Sequence, residues 1–177
     1  HGRGVWILDD ISFLQEMSER VLASDLHLFS LRPVVQFASA ARGEGLTKSS
    51  FSGRNPAFGL NITAWIKNDL AEKPKLAVLD ADGRVVHEFV FSEQKAGLRR
   101  QTWNLQFVPE ASDGRKYQPT GMAVTALPMI APAKYTLILS PVPDGTRETP
   151  FEVKPDPRVD FSLEVWHVQC QAFGELL

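Results

Sequence analysis

The clearest β pattern in the chain is Leu76-Ala77-Val78-Leu79-Asp80-Ala81-Asp82-Gly83-Arg84-Val85-Val86-His87-Glu88-Phe89-Val90-Phe91. Its two ends are short apolar runs, and the four residues from Asp80 to Gly83 separate them. Aspartate tolerates turn geometry and glycine adopts positive φ, so this separator is a strong signal for a tight turn. The stretch therefore predicts a β-hairpin whose strands cover 76–79 and 85–91.

Further short strands are predicted on both sides of this hairpin. The alternating apolar sets that indicate them are Leu60, Ile62, Ala64 and Ile66; Trp103, Leu105 and Phe107 within a strand from Leu98; and Tyr135, Leu137 and Leu139. Pro143-Asp144-Gly145 is a turn signal that leads into a strand over 149–153. Such a density of short strands predicts a mainly β chain, an immunoglobulin-like antiparallel β-sandwich over residues 25–158. Two polar stretches, 38–57 and 108–123, are predicted as loops.

The N-terminal part of the chain carries different patterns. Residues 4–8 form an apolar run that predicts a buried strand without an apparent partner. Apolar residues at helical spacing predict one or two short helices near 12–23, and Ser12 with Gln15 has the form of a capping box. Residues 25–37 alternate imperfectly, and Pro33 limits them to one or two edge strands.

Two interpretations fit the C-terminal stretch 159–177. Val159, Phe161, Leu163 and Val165 alternate as in a strand, whereas a longer apolar set from Val159 to Leu177 is spaced as on a helix. We favour a short strand to Phe161 followed by a C-terminal helix from Leu163, because Ser162 is a good N-cap residue.

Composition and charge exclude several classes of protein. Nineteen Lys and Arg against 21 Asp and Glu leave a net charge of −2, so no nucleic-acid partner is expected. No apolar run approaches the length of a membrane span. The single cysteine, Cys170, excludes an intramolecular disulfide. Because the chain starts at His1 rather than Met, we expect a processed product or a piece of a longer protein.

The sequence contains few groups that are suited to catalysis or metal binding. Asp9-Asp10 near His1 could bind a metal or act as general acid and base, but acidic residues at the start of a helix explain the pair more simply. His167 and Cys170 could share a helix face, yet two ligands without a third more often belong to packing. We therefore expect no catalytic residue, no metal site and no cofactor within the chain.

The aromatic residues are the remaining candidates for binding. Trp6, Trp103 and Trp166 lie on the apolar faces of their segments, which predicts core packing. Trp65 lies opposite the apolar set of its strand, and Tyr117 lies in the predicted loop 108–123. Trp65 and Tyr117 are therefore the two candidate ligand-binding residues.

Three stretches, in this order, carry a resemblance to a known family: His1-Gly2-Arg3-Gly4-Val5-Trp6-Ile7-Leu8-Asp9-Asp10, Ala96-Gly97-Leu98-Arg99-Arg100-Gln101-Thr102-Trp103-Asn104-Leu105 and Asp156-Pro157-Arg158. Together they resemble the C-terminal region of bacterial glycosyl-hydrolase-like proteins with neuraminidase repeats, relatives of the sortilin and xyloglucanase propellers. The resemblance implies that residues 1–24 end a propeller blade and form a helical linker. It implies that the remainder is an immunoglobulin-like sandwich similar to the flagellar hook-capping type, with 159–177 as an extension.

The chain also departs from that family. Ala133 stands where the family usually has glycine before the Tyr-Thr strand, and the blade signature Ser-x-Asp-x-Gly-x-Thr-Trp is absent from the sequence. Since the family's active surface lies in the propeller, no active-site residue can be assigned here.

Three hypotheses about function follow. In the first, the chain is a non-catalytic accessory domain that buttresses the propeller of a secreted or periplasmic protein, and that propeller is its intramolecular partner. In the second, it is an independent module that binds polysaccharide or protein through its loops. In the third, which rests only on Asp9-Asp10 and the family name, the chain is itself a hydrolase.

Overall fold

A computed structural model describes residues 10–37, 58–108, 127–142, 145–160 and 162–168. These ranges contain three short helices and eight strands. In chain order they are α1 (Ser12–Glu16), α2 (Glu19–Ala23), β1 (Leu26–Leu28), β2 (Val34–Gln36), β3 (Leu60–Ile66), β4 (Lys75–Leu79), β5 (Val85–Val90), β6 (Gly97–Trp103), β7 (Lys134–Val142), β8 (Gly145–Pro155) and α3 (163–168). The mainly β prediction is confirmed.

The strands form two sheets. One has three strands in the order β1-β3-β6, and the other has five in the order β2-β8-β7-β4-β5. Residues 25–37 supply an edge strand to each sheet, as Pro33 predicts, because the chain leaves the first sheet after β1 and joins the second as β2.

The prediction of a wholly antiparallel sandwich is wrong at one edge. β2 runs parallel to β8, with Val34 opposite Val153, whereas the other strand pairs of the described ranges are antiparallel. Local turn signals predict hairpins, which are antiparallel by construction. β2 and β8 are far apart in the sequence, so no local sequence pattern predicts that they pair in parallel.

The β4–β5 hairpin forms as predicted. Asp80 Oδ1 accepts hydrogen bonds from the backbone N–H groups of Asp82 and Arg84, both at 2.9 Å, and Gly83 takes φ +78°. The aspartate therefore accepts backbone hydrogen bonds within the turn, and the glycine supplies the positive φ.

The core lies between the two sheets. It is formed by the inward-facing residues that the alternation predicts, and its completely buried members include Ile62, Ala64, Leu76, Val78, Leu137 and Leu139. Trp103 also belongs to this core, which confirms the packing prediction for that residue. The predicted strand 98–107 ends early, at Trp103, because Leu105 adopts φ +65° while its side chain remains buried.

Gly59 lies where β3 begins beside the end of β6. Its φ is +135°, and a Cβ built at this position would lie 2.0 Å from the carbonyl oxygen of Trp103. Only glycine combines that backbone angle with so close an approach of two main chains.

The helices begin differently from the prediction. Ser12 is the first residue of α1 and not its cap, because its backbone N–H and its hydroxyl both donate to Asp10 Oδ1, at 3.0 and 2.7 Å. The predicted capping box is therefore wrong. A side-chain cap occurs at α2, where Ser18 accepts a hydrogen bond from the backbone N–H of Val21.

At the C-terminal end, the predicted strand is wrong as far as residue 160. β8 ends at Pro155, residues 157–159 form a turn and a bend, and Phe161 lies outside the described residues. The predicted helix is confirmed over 163–168 as α3, and Ser162 Oγ accepts from the backbone N–H of Val165 at its start. Its predicted continuation over 169–177 lies outside the described residues. α3 contacts the sandwich through Trp166, which is half-buried, donates from Nε1 to the carbonyl oxygen of Met129 and stacks on Phe107.

Candidate functional site

Asp10, one of the two acidic candidates, has a structural role. Besides accepting two bonds from Ser12, its Oδ1 lies 3.5 Å from the Arg32 guanidinium. Burial raises the pKa of Asp10, but the Ser12 hydrogen bonds and the charges of Arg32 and Arg100 outweigh it, and the net pKa is lowered. An ionised carboxylate at the start of a helix agrees with the simpler interpretation of this pair. Asp9 lies outside the described residues.

Arg100 fastens this N-terminal segment to the three-stranded sheet. Its Nη2 donates to the carbonyl oxygen of Asp10 at 3.0 Å, and its Nε donates to Thr63 Oγ1 at 3.2 Å. The guanidinium carbon also lies 5.2 Å from the centre of the Phe13 ring. One side chain of β6 therefore contacts β3, α1 and Asp10, which lies two residues before the start of α1. We call this set of contacts, with the Asp10–Arg32 ion pair, the N-terminal clamp.

A second contact supports the same segment. Glu16, the last residue of α1, accepts a hydrogen bond from the backbone N–H of Ser30 at 3.2 Å. Phe13 and Val21 are buried with Phe29, and together they cover the outer face of the three-stranded sheet. The two N-terminal helices are thus packed on the sandwich.

The neighbours of Arg100 in the stretch 96–105 also have structural roles. Arg99 donates to the carbonyl oxygens of Lys95 and Ala96, which closes the turn before β6. Gln101 holds the end of β5, because its Oε1 accepts from the backbone N–H of Ser92 and its Nε2 donates to the carbonyl oxygen of Val90, the last residue of β5.

Trp103 in the stretch 96–105 and Arg158 in the stretch 156–158 also form hydrogen bonds within the fold. Trp103 Nε1 donates to the carbonyl oxygen of Gln106 at 2.9 Å. In the stretch 156–158, Arg158 donates to both oxygens of the buried Asp156 carboxylate, at 2.9 and 2.7 Å.

Trp65 lies on the outer face of β3, as its position in the alternation predicts. It is half-buried, packed against the cluster of Phe13, Val21 and Phe29, and opposite His27 in the β1–β3 register. Its Nε1 is buried and has no hydrogen-bond partner among the described residues. A ligand-binding role for Trp65 stays a prediction. Tyr117, and most of the loops 38–57 and 108–123, lie outside the described residues.

Of the His167 and Cys170 pair, the structure describes only His167. His167 Nδ1 lies 2.8 Å from the carbonyl oxygen of Leu163, one turn earlier in α3, and Cys170 is outside the described residues. Within the described ranges no three His, Cys, Asp or Glu residues are grouped closely enough to hold a metal ion.

A cleft of about 510 Å³ opens where α2, β1 and β8 meet. It is lined by Arg20, Val21, Ser24, Leu26, His27 and Arg147. We call it the basic cleft, because two of these six residues are arginines and none is acidic. Arg147 Nη1 donates to the carbonyl oxygen of Thr146 at 3.2 Å. β1 and β8 belong to different sheets and are in contact, so the cleft lies at an edge of the sandwich.

His27 contributes a neutral group to the wall of the basic cleft. Burial is the main cause that lowers its pKa, the positive charge of Arg147 lowers it further, and Glu16 opposes the shift. The imidazole is thus uncharged near neutral pH, and its buried Nε2 has no hydrogen-bond partner in the described ranges. Its ring packs edge-on against Phe29, with the ring centres 4.9 Å apart.

Sequence reasoning missed this cleft for a simple reason. Arg20 and Arg147 stand far apart in the chain, and neither belongs to a recognisable motif. Only the packing of β1 against β8 brings them to one place. No local spacing marks the cleft, because Arg20 lies in α2 and His27 lies in β1, so one helical period does not relate them.

Comparisons with known proteins leave the family of this chain open. No family model matches the sequence, and neither the curated proteins nor the solved structures contain a significant match. Among the described residues, no helix has the length and apolar character needed to cross a membrane.

Proposed function

We infer that the two sheets form an immunoglobulin-like sandwich. In that fold strands A, B and E share one sheet and strands C, F and G the other. The order β1-β3-β6 corresponds to A, B and E, and the order β8-β7-β4-β5 corresponds to G, F and C with an added C′. The hydroxyl of Tyr135, at the start of β7, donates to the carbonyl oxygen of Ala131 at 2.7 Å, as in the tyrosine corner of strand F. Both observations support the inference.

We propose that the chain is a non-catalytic accessory domain of a secreted or periplasmic glycoside-hydrolase-like protein. Its role is to buttress the β-propeller that the resemblance of residues 1–10 implies. Catalysis then belongs to the propeller, and the sandwich holds the polypeptide that leaves the last blade.

The N-terminal clamp is the observation that carries this proposal. A flexible tether would show few contacts between the segment after residue 9 and the sandwich. Instead, Asp10 is paired with Arg32, and the guanidinium of Arg100 contacts both Asp10 and Phe13. These bonds fix the direction in which the chain enters the sandwich. A domain that buttresses a neighbour needs such a rigid connection.

The first experiment is to sequence the coding region upstream of His1. The proposal expects propeller blades that carry the repeat Ser-x-Asp-x-Gly-x-Thr-Trp. A start codon or a signal peptide immediately before His1 would contradict it.

The second experiment uses the whole polypeptide that such sequencing defines. Arg100→Gln should lower the temperature at which the propeller unfolds, because the clamp connects the two parts. Arg84→Gln, which removes an equally charged group from the exposed turn of the β4–β5 hairpin, is the control. If the propeller unfolds at the same temperature in both variants, the sandwich is only tethered to the propeller and does not stabilise it.

A further inference from the structure

The layer formed by α1 and α2 is held on the three-stranded sheet by few buried contacts. Its buried side chains are Phe13 and Val21, which pack with Phe29, the residue that follows β1. Each helix has only five residues, and helices so short are not stable in water without packing. A segment with so few buried apolar contacts can open while the rest of the fold stays intact.

His27 lies where this layer meets the sheet. It is half-buried, stands opposite Trp65 in the β1–β3 register, and meets the ring of Phe29 edge-on. The Nε2 atom of His27 and the Nε1 atom of Trp65 are both buried, and neither has a hydrogen-bond partner among the described residues. An indole nitrogen is only a donor, so Trp65 cannot accept a bond from a protonated imidazole.

The charges around His27 disfavour a further positive charge. Arg20 of α2 and Arg147 of β8 line the cleft that His27 also lines, and β3 contains no charged residue. Glu16 of α1 favours protonation, but its carboxylate already accepts a hydrogen bond from a backbone N–H. Burial and the charge of Arg147 outweigh Glu16, so the pKa of His27 is lowered. A proton on Nε2 would leave a buried donor without an acceptor.

We propose that proton uptake by His27 detaches the α1–α2 layer from the sandwich, because separation gives the new Nε2–H donor access to water. The N-terminal clamp loosens with the layer, since Arg100 holds this segment through Asp10 and Phe13. The chain therefore enters the sandwich in a fixed direction at neutral pH and loses that direction in mild acid. This device is independent of the buttressing role, because it involves only contacts within the described part of the chain.

The size of the effect follows from the proton equilibrium of His27. The ordinary pKa of histidine is 6.5, and we expect this value in the detached layer. Because the pKa is lower in the closed form, the closed form is favoured at high pH and loses that advantage as the pH falls through 6.5. If the closed form takes up no proton, the opening constant rises by about tenfold between about pH 7.5 and about pH 5.5, and tenfold is therefore the upper limit.

Amide hydrogen exchange of the complete chain measures this opening. Its reporters are the N–H groups of Leu22 and Ser24, which donate to carbonyl oxygens of the α2 segment, and that of Ser30, which donates to Glu16. Protection factors remove the intrinsic pH dependence of exchange, and the amides of β7 serve as the reference. We expect the reporters to be less protected than β7 at both pH values and to lose several-fold more protection at the lower one.

Two histidine variants decide whether His27 is responsible. His27→Gln should remove the pH dependence of the reporters, because glutamine does not titrate. His167→Gln, which removes an exposed histidine of α3, is the matched control and should keep it. Glu16→Gln gives a second test if the His27 variant does not fold. It removes the charge that favours protonation in the closed form, so the loss of protection in acid should be at least as large as in the unaltered chain.

Each outcome bears on the proposal. Acid-dependent exchange of the reporters that His27→Gln abolishes and His167→Gln preserves supports it. Four results would overturn it: equal protection of the reporters at both pH values, reporters as protected as the amides of β7, an undiminished pH dependence in His27→Gln, or a smaller loss of protection in Glu16→Gln. The second result would mean that His27 becomes accessible only when the whole chain unfolds.

Discussion

Replacing Arg100 with glutamine removes the central contact of the N-terminal clamp. The variant loses the guanidinium over the Phe13 ring, the bond to the carbonyl oxygen of Asp10 and the bond to Thr63 Oγ1. Arg100 is exposed, so solvent screens its interactions and each hydrogen bond contributes at the low end, about 0.5 kcal/mol. The cation–π contact adds about 0.5–1 kcal/mol. We expect the free energy of unfolding to fall by about 1.5–2 kcal/mol.

Thermal unfolding of the isolated chain measures this loss. For a domain of this size, a loss of 1 kcal/mol lowers the Tm by about 2–4 °C, so we expect a decrease of about 3–8 °C. Hydrogen exchange should become faster at the amides of 10–16, while the amides of β4 and β7 stay protected. A double-mutant cycle with Phe13→Leu should return a coupling energy of about 0.5–1 kcal/mol.

The control for this experiment is Arg84→Gln, whose partner Asp82 is as exposed as Arg84 itself. That exposed pair should contribute less than about 0.5 kcal/mol. If Arg100→Gln and Arg84→Gln lower the Tm equally, or if exchange at 10–16 is unchanged, the clamp does not hold the N-terminal segment and the reasoning fails.

Three other changes test the fold and its titration. Gly59→Ala should cost more than about 3 kcal/mol in urea unfolding, since it combines positive φ with a clash, whereas Gly83→Ala, with open space around it, should cost only about 1–2 kcal/mol. Tyr135→Phe should lose about 1 kcal/mol with its buried hydrogen bond; an unchanged Tm would exclude a stabilising tyrosine corner. Burial lowers the pKa of His27, so the unfolded chain binds more protons there below about pH 6.5, and the free energy of unfolding should fall between about pH 7.5 and pH 5.5. His27→Gln should remove that part of the pH dependence, and an identical slope in both proteins would show that other groups cause it.

Local patterns were sufficient for most of the strands. The hairpin from Leu76 to Phe91 followed from two apolar runs and one turn signal, and alternation located β3 and β7. The same kind of pattern failed at segment ends. Ser12 has the residue type of a helix cap, but the Asp10 carboxylate two residues earlier accepts its N–H, so the helix starts at the serine. Short polar side chains compete for the same free N–H groups at a helix start, so residue type alone does not identify the one that accepts the bond.

The basic cleft and the N-terminal clamp could not be predicted in this way. Arg100 and Asp10 are 90 residues apart in the sequence. Arg147 lines the cleft only because β8 contacts β1. From sequence alone, a charged side chain on a strand is interpreted as exposed to solvent, because its neighbours in space are unknown. The functional proposals therefore rest on contacts between segments that are distant in sequence.

The sequence alone determined that this chain is mainly β, where most strands lie and which residues form the core, because side-chain alternation and turn chemistry act over a few residues. Only the folded structure shows which strands are neighbours, that β2 pairs with β8 in parallel, and that Arg20 and Arg147 line one cleft. These features depend on how two sheets bury one apolar surface, and that is a property of the whole chain.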